Sequence, residues 1–154
     1  MENNIIENIY FENAHIIFKN FSGRETRYQK QGGVRSFSVL IDDPDMAQKL
    51  ADDGWNVRIL RPRNEGDEPN HCLDVTINYN FWRKPEIYMI CDGHKTRLDE
   101  EDIDMLDGAD IITSDIVVRP RQWDDNGTPR IKAYLQELYV TIQRSRFAAK
   151  YADM

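Results

Sequence analysis

The chain has 154 residues, a formal net charge of −7 and 40% hydrophobic residues, the size and balance of one globular domain with a core of its own. No apolar run approaches the length of a transmembrane helix, and the opening Met1-Glu-Asn-Asn-Ile5 lacks a signal peptide's basic and apolar regions, so a soluble, cytoplasmic protein is expected. Two cysteines, Cys72 and Cys91, are too few for a disulfide framework and read as reduced thiols.

Neither an internal repeat nor a Pro/Ser-rich linker interrupts the chain, so residues 1–154 read as a single domain. Ala14 to Phe21 reads as a strand, with Ile17 and Phe21 opposite Ile16 and Phe18. A polar loop with Gly23, Gly32 and Gly33 runs from Ser22 to Arg35, and Ser36 to Ile41 is a second strand with Phe37, Val39 and Ile41 in alternation. Asp43-Pro44 opens a helix, an acid able to cap followed by proline at the first helical position. Met46, Ala47, Leu50 and Ala51 share one face of it, and Gly54 is placed to end it.

Asn56 to Arg61 is a short strand, followed by an acidic loop from Pro62 to Asn70. Leu73, Val75, Ile77 and Tyr79 alternate as a further strand, and Glu86 to Cys91 with Lys95 to Leu98 form a hairpin turned at Asp92-Gly93. The segment from Asp99 to Asp110 carries seven acids and no base, and so accounts for the whole net charge. It reads as a short helix with Asp99 as cap, Ile103 and Leu106 facing the sheet and Gly108 as terminator. Strand Ile111 to Arg119 then leads through Asp124-Asp-Asn-Gly127 into the last strand, Arg130 to Ile142.

In that last strand apolar residues alternate at Ile131, Ala133 and Leu135, then resume one position out of phase at Leu138, Val140 and Ile142. One extra residue in a two-residue period describes a β-bulge, which bends a strand as small barrels require. The expected fold is mainly β, an antiparallel barrel with one or two short inserted helices.

Cations recur beside rings in three segments. Arg119, Arg121 and Trp123 alternate and can continue across the turn as Arg130, Lys132 and Tyr134; Phe81-Trp82-Arg83-Lys84 puts two rings beside two cations; and the Ser22–Arg35 loop holds Arg24, Arg27, Tyr28, Lys30 and Arg35 against one acid. Any single ring here could be a core or edge residue with solvated cations next to it. A solvated surface gives no reason for the pairing to recur, whereas flat rings for bases and cations for phosphates are what a single strand of nucleic acid needs.

The other constellations carry less. His71-Cys72 with Cys91-x-x-His94 offers four zinc-type ligands, but strand neighbours point to opposite faces and the spacing matches no closed motif, so no metal is expected. No nucleophile elbow, phosphate-cradling glycine loop or His-Glu-x-x-His run is present among the three histidines and their surroundings, so neither catalysis nor a cofactor is expected. The acidic run is a solvated helix face, a handle for a basic partner protein, or a mimic competing with nucleic acid for the basic face.

Ile116-Val-Val-Arg-Pro120, Trp123, and Gly127-Thr-Pro-Arg-Ile-Lys-Ala-Tyr-Leu135 running into Leu138-Tyr-Val-Thr-Ile142 resemble phage-type replicative single-stranded DNA-binding proteins with an OB-fold. The order of a strand at Ala14-His-Ile-Ile-Phe18 followed by a Gly-rich basic loop is similar to that family as well. The resemblance implies an OB-like barrel that coats single strands in replication or recombination, without catalysis and with little sequence preference. The three segments that pair cations with rings place the expected contacts at Arg24, Arg27, Tyr28, Lys30, Arg35, Trp82, Arg83, Lys84, Arg119, Arg121, Trp123, Arg130, Lys132 and Tyr134. Replication or recombination proteins are candidate further partners, and the oligomeric state is left open by the sequence. Such proteins commonly carry an acidic tail, whereas the last residues here are Phe147-Ala-Ala-Lys-Tyr-Ala-Asp-Met154, so either partner recruitment is absent or the internal acidic segment replaces the tail. Two rival readings are a protein-interaction module that uses residues 99–110, and an RNA binder.

Overall fold

The structure, a computed structural model, describes residues 7–24, 33–62 and 64–143. Among these residues nine strands share one sheet: β1 (Ile9–Ala14), β2 (Ile16–Asn20), β3 (Arg35–Ile41), β4 (Val57–Leu60), β5 (Asn70–Ile77), β6 (Glu86–Cys91), β7 (His94–Leu98), β8 (Ile111–Asp125) and β9 (Thr128–Ile142). Helix α1 (Pro44–Asp52) lies between β3 and β4, and a 3-10 helix (Ile103–Gly108) between β7 and β8. The hydrogen-bonded path runs β1-β8-β9-β5-β3-β2. Its two ends, β1 and β2, are separated only by His15, so the sheet rolls round on itself; the His15 carbonyl accepts the Leu40 N–H at 2.9 Å.

The core fills the inside of this roll. Phe21 and Phe37 stack with centroids 5.6 Å apart. Leu73, Val75, Ile87, Ile116, Val118, Leu138 and Val140 are buried around them. The alternation that marks these strands in the sequence is therefore the inside–outside alternation of the roll.

Several local expectations hold for the stated reasons. Asp43 accepts the Asp45 N–H at 3.0 Å and Pro44 opens α1, which buries Ala47 and Leu50. In β9 the ladder passes from Val117↔Glu137 to Val118↔Leu135, so Gln136 is the extra residue of the bulge. Both hairpin turns, Asp92-Gly93 (φ 50° and 79°) and Asn126-Gly127 (φ 52° and 90°), hold two successive left-handed residues, the twist that suits a two-residue hairpin.

Other expectations need correction. The strand expected from Ala14 to Phe21 is β2, shorter at both ends, and β1 before it is not among the expected elements; Asn13 and Phe18 take left-handed backbones (φ 53° and 52°) where the ladders of β1 and β2 slip, which breaks the alternation. The β5–β9 and β6–β9 pairings are parallel, not antiparallel, since long connections return the chain in the same direction. The 3-10 helix has Asp102, not Asp99, at its cap position, and no side-chain capping bond; Asp99 serves through its carbonyl, which accepts from Asp102 and Ile103.

Strands β8 and β9 are also longer than Pro120 and Pro129 suggest. Pro120 is tolerated because β1 pairs with β8 only from Ser114 to Val118, which leaves that flank of Pro120 without a ladder to break.

Candidate nucleic-acid interface

The long β8–β9 hairpin sets the site. Its ladder places Arg119 opposite Tyr134, Arg121 opposite Lys132 and Trp123 opposite Arg130, and directly opposed residues share a face. The alternate positions Ile131 and Ala133 turn inward and are buried, which fixes the cation-bearing row outward. The two halves of the row predicted from sequence are therefore side by side.

Beside β9 lies β5, with Thr76 level with Tyr134, and then β3, with Ser36 opposite Thr76 and Ser38 opposite Asp74. Short polar side chains there leave the face hollow. A depression of ≈ 420 Å³ lies among Asp74, Thr76, Trp123, Arg130 and Lys132. A second, of ≈ 380 Å³, lies among Arg35, Thr76, Tyr79, Lys132 and Tyr134. A third, of ≈ 320 Å³, is lined by Phe81, Trp82, Arg119, Pro120, Arg121 and Tyr134. Shared linings at Thr76, Lys132 and Tyr134 join the three into one trough.

Phe81 anchors one end. Arg119 and Arg121 hold their guanidinium carbons 4.9 Å and 5.5 Å from its ring centroid. Tyr134 meets it edge-on at 4.9 Å, and Lys132 Nζ lies 5.3 Å from the Tyr134 ring. Trp82 next door is 95% exposed and Trp123 is 50% exposed, while Tyr134 is only 9% exposed. Tyr134 is thus a support beneath the trough and not the open platform that its place in the row suggests. Phe81 was legible in the sequence only as a neighbour of Trp82; nothing in the pattern marks it as the ring both arginines reach.

The cations divide by partner. Among the described residues, Arg119, Arg121 and Lys132 make no ion pair with a carboxylate, and Arg83 and Lys84 are exposed on the loop beside Trp82. Arg130 is paired with Asp125 at 3.2 Å. Arg35 lies over the Tyr79 ring at 5.7 Å, donates to the Glu100 carbonyl at 2.9 Å, and sits 3.9 Å and 3.7 Å from the Glu100 and Asp104 carboxylates. Arg24 is exposed with its backbone tied to Asn20, and Arg27, Tyr28 and Lys30 lie outside the described residues.

The acidic segment is therefore not only a solvated face. Asp107 accepts from the N–H groups of Phe21 and Ser22 at 2.6 Å and 3.1 Å and from Ser22 Oγ at 2.7 Å. Burial alone would raise its pKa, but these hydrogen bonds and nearby Arg24 prevail and hold the carboxyl below the usual range. Lys19 donates to the Leu106 and Ala109 carbonyls, tying the same segment to β2. Burial pushes the Tyr79 hydroxyl, beneath Arg35, up to about 12.

The soft ligands differ in setting: Cys72 is buried in β5, Cys91 is half-buried, and His94, opposite Cys91 in the hairpin, is exposed. Among the described residues no cluster of three or more His, Cys, Asp or Glu could hold a metal ion, and no helix is long and apolar enough to cross a membrane.

No curated protein matches the chain. Among solved structures it is similar to the single-stranded DNA-binding protein of bacteriophage Enc34. The C-terminally truncated form matches with TM-score 0.54 at 12% identity, over 90% of this chain and 87% of that one. The protein in complex with ssDNA matches with TM-score 0.53 at 12% identity, over 91% and 89%. The untruncated protein matches with TM-score 0.51 at 12% identity, over 86% and 79%. The family model of the phage ssDNA-binding domain spans residues 1–154, and the chain belongs to that family.

Proposed function

We infer that this protein binds single-stranded DNA in the trough across β3, β5, β9 and β8, as one non-enzymatic domain. The observation that carries the reading is Phe81 with Arg119 and Arg121 drawn over it, at the end of a trough that also exposes Trp82 and Trp123. Rings at this spacing suit bases, and the unpaired cations beside them suit phosphates, with no demand for a particular sequence. Family membership supports the same substrate. Arg119, Arg121, Lys132, Arg83 and Lys84 hold the backbone in this reading, Phe81, Trp82 and Trp123 take the bases, and Arg35 borders the path.

The setting that fits is the replication or recombination of a phage or mobile element, in the cytoplasm of its host. The rival use of residues 99–110 as a docking face is weakened by Asp107, Glu100 and Asp104, which are engaged with the roll itself.

The test is a titration of tryptophan fluorescence with an unlabelled thymidine oligonucleotide at low and high salt, beside duplex DNA. Quenching by the single strand alone, weakened by salt, is the expected result. No quenching and no gel shift at low salt would refute the reading.

A further inference from the structure

We propose that the trough continues past Asp74 to a second base-stacking subsite, built from Phe18 and Arg58; this step rests on the single-stranded DNA reading above. Phe18 is 58% exposed although it sits in a strand, and its φ of +52° is a left-handed backbone that a bulky side chain rarely adopts. The ladder between β2 and β3 slips between Ile17 and Asn20, and this irregularity is what turns Phe18 out of the alternation. Strain and exposure both disfavour the folded state, and burial of the ring does not offset them. Local strain of this kind gathers at ligand sites.

The ring is also prepared. The Arg58 guanidinium carbon lies 5.2 Å from its centroid. Arg58 Nη2 donates to Asp74 Oδ1 at 2.9 Å, and Ser38 Oγ donates to the same oxygen. Asp74 lines the ≈ 420 Å³ depression together with Trp123 and Lys132. Direct contacts thus run from Phe18 through Arg58 to Asp74, which lines the same depression as Trp123 and Lys132. Since Asp74 already balances the Arg58 charge, this end of the trough offers a flat surface for a base and little net attraction for a phosphate.

Distance makes the subsite separable. From β2 to β8 the path crosses four inter-strand gaps of about 4.8 Å, roughly 19 Å in all. One nucleotide cannot bridge that, so a short oligonucleotide engages the Phe81 end or the Phe18 end but not both.

The experiment is a fluorescence-anisotropy series with thymidine oligonucleotides of increasing length against the full chain and its Phe18→Asn and Phe18→Tyr variants. Asparagine tolerates a left-handed backbone, so Phe18→Asn removes the ring without adding strain. The expected result is equal affinity of wild type and Phe18→Asn for the shortest oligonucleotide that binds. On longer ones Phe18→Asn should fall behind by roughly tenfold, the scale of one lost base stack, and Phe18→Tyr should not. Equal affinity of wild type and Phe18→Asn at every length would overturn the subsite alone. Failure of the wild type to bind any length would overturn the single-strand reading and the subsite with it.

Discussion

Phe81 stands edge-on to Tyr134, with ring centroids 4.9 Å apart and planes inclined at 73°. The edge-to-face arrangement holds a loop residue against a strand residue, and only one of the two rings reaches the surface. In the proposed reading the pair divides two roles, a covered ring that positions and a partly exposed ring that receives the base.

Replacing Phe81 by Ala should therefore weaken single-strand binding by about 1–3 kcal/mol, the scale of one base–aromatic stack. Thermal stability should change little. Tyr134→Ala should instead destabilise the domain by about 2–4 kcal/mol, as expected for a covered aromatic, and weaken binding through Phe81. Tyr134→Phe should alter neither. Titration and thermal melting of the three variants distinguish these outcomes; unchanged binding by Phe81→Ala would remove Phe81 from the site.

The salt dependence should identify which cations meet phosphate. Each neutralised phosphate of a single strand contributes about 0.7 to the slope of log affinity against log salt. Arg121→Ala and Lys132→Ala should each flatten the slope by about that amount, because neither cation is paired with a carboxylate among the described residues. Arg130→Ala should do less, since Asp125 already shares its charge at 3.2 Å. Equal flattening by all three would mean that the Arg130–Asp125 pair opens on binding.

What was legible in the sequence follows the physics of each element. Alternation at Ile131, Ala133 and Leu135 with its phase slip gave the bulge at Gln136, because burial on one face of a strand writes itself directly into residue type. The row of Arg119, Arg121 and Trp123 against Arg130, Lys132 and Tyr134 was readable for the same reason: a two-residue turn at Asn126-Gly127 fixes the register. Phe81 as the shared ring was not readable. Its contacts with Arg119 and Tyr134 join segments 38 and 53 positions apart in sequence, and no local period reports such a meeting. The acidic run misled for a related reason: composition shows its charge, but not that Asp107 turns back onto Phe21 and Ser22.

Asp107 should make the root of the 22–35 loop sensitive to acid. Its folded-state pKa lies below the ordinary value of 3.8, so its contribution is complete above that value and is lost as pH falls through the lowered one. Asp107→Ala leaves three donors without their acceptor and should cost about 1–3 kcal/mol at neutral pH. The gap between wild type and variant should then shrink once the pH drops below 3.8. Denaturant titrations of both proteins across that range provide the check, and a gap independent of pH would mean the carboxylate charge contributes nothing.

The acidic segment should also restrain binding through Arg35. Glu100 and Asp104 stand 3.9 Å and 3.7 Å from a guanidinium that lines the same depression as Lys132 and Tyr134. A phosphate approaching there meets a cation already partly neutralised. The double substitution Glu100→Gln and Asp104→Asn keeps the side-chain shapes and leaves the bond from Arg35 to the Glu100 carbonyl in place, while removing both charges. Half-exposed pairs of this kind contribute only about 0–1 kcal/mol, so the gain in single-strand affinity at low salt should be about two- to fivefold, fading as salt rises. The same titration used for the wild type measures it. A loss of affinity would instead mean that the two carboxylates hold Arg35 where the strand needs it, and that the segment orients the site rather than competing for it.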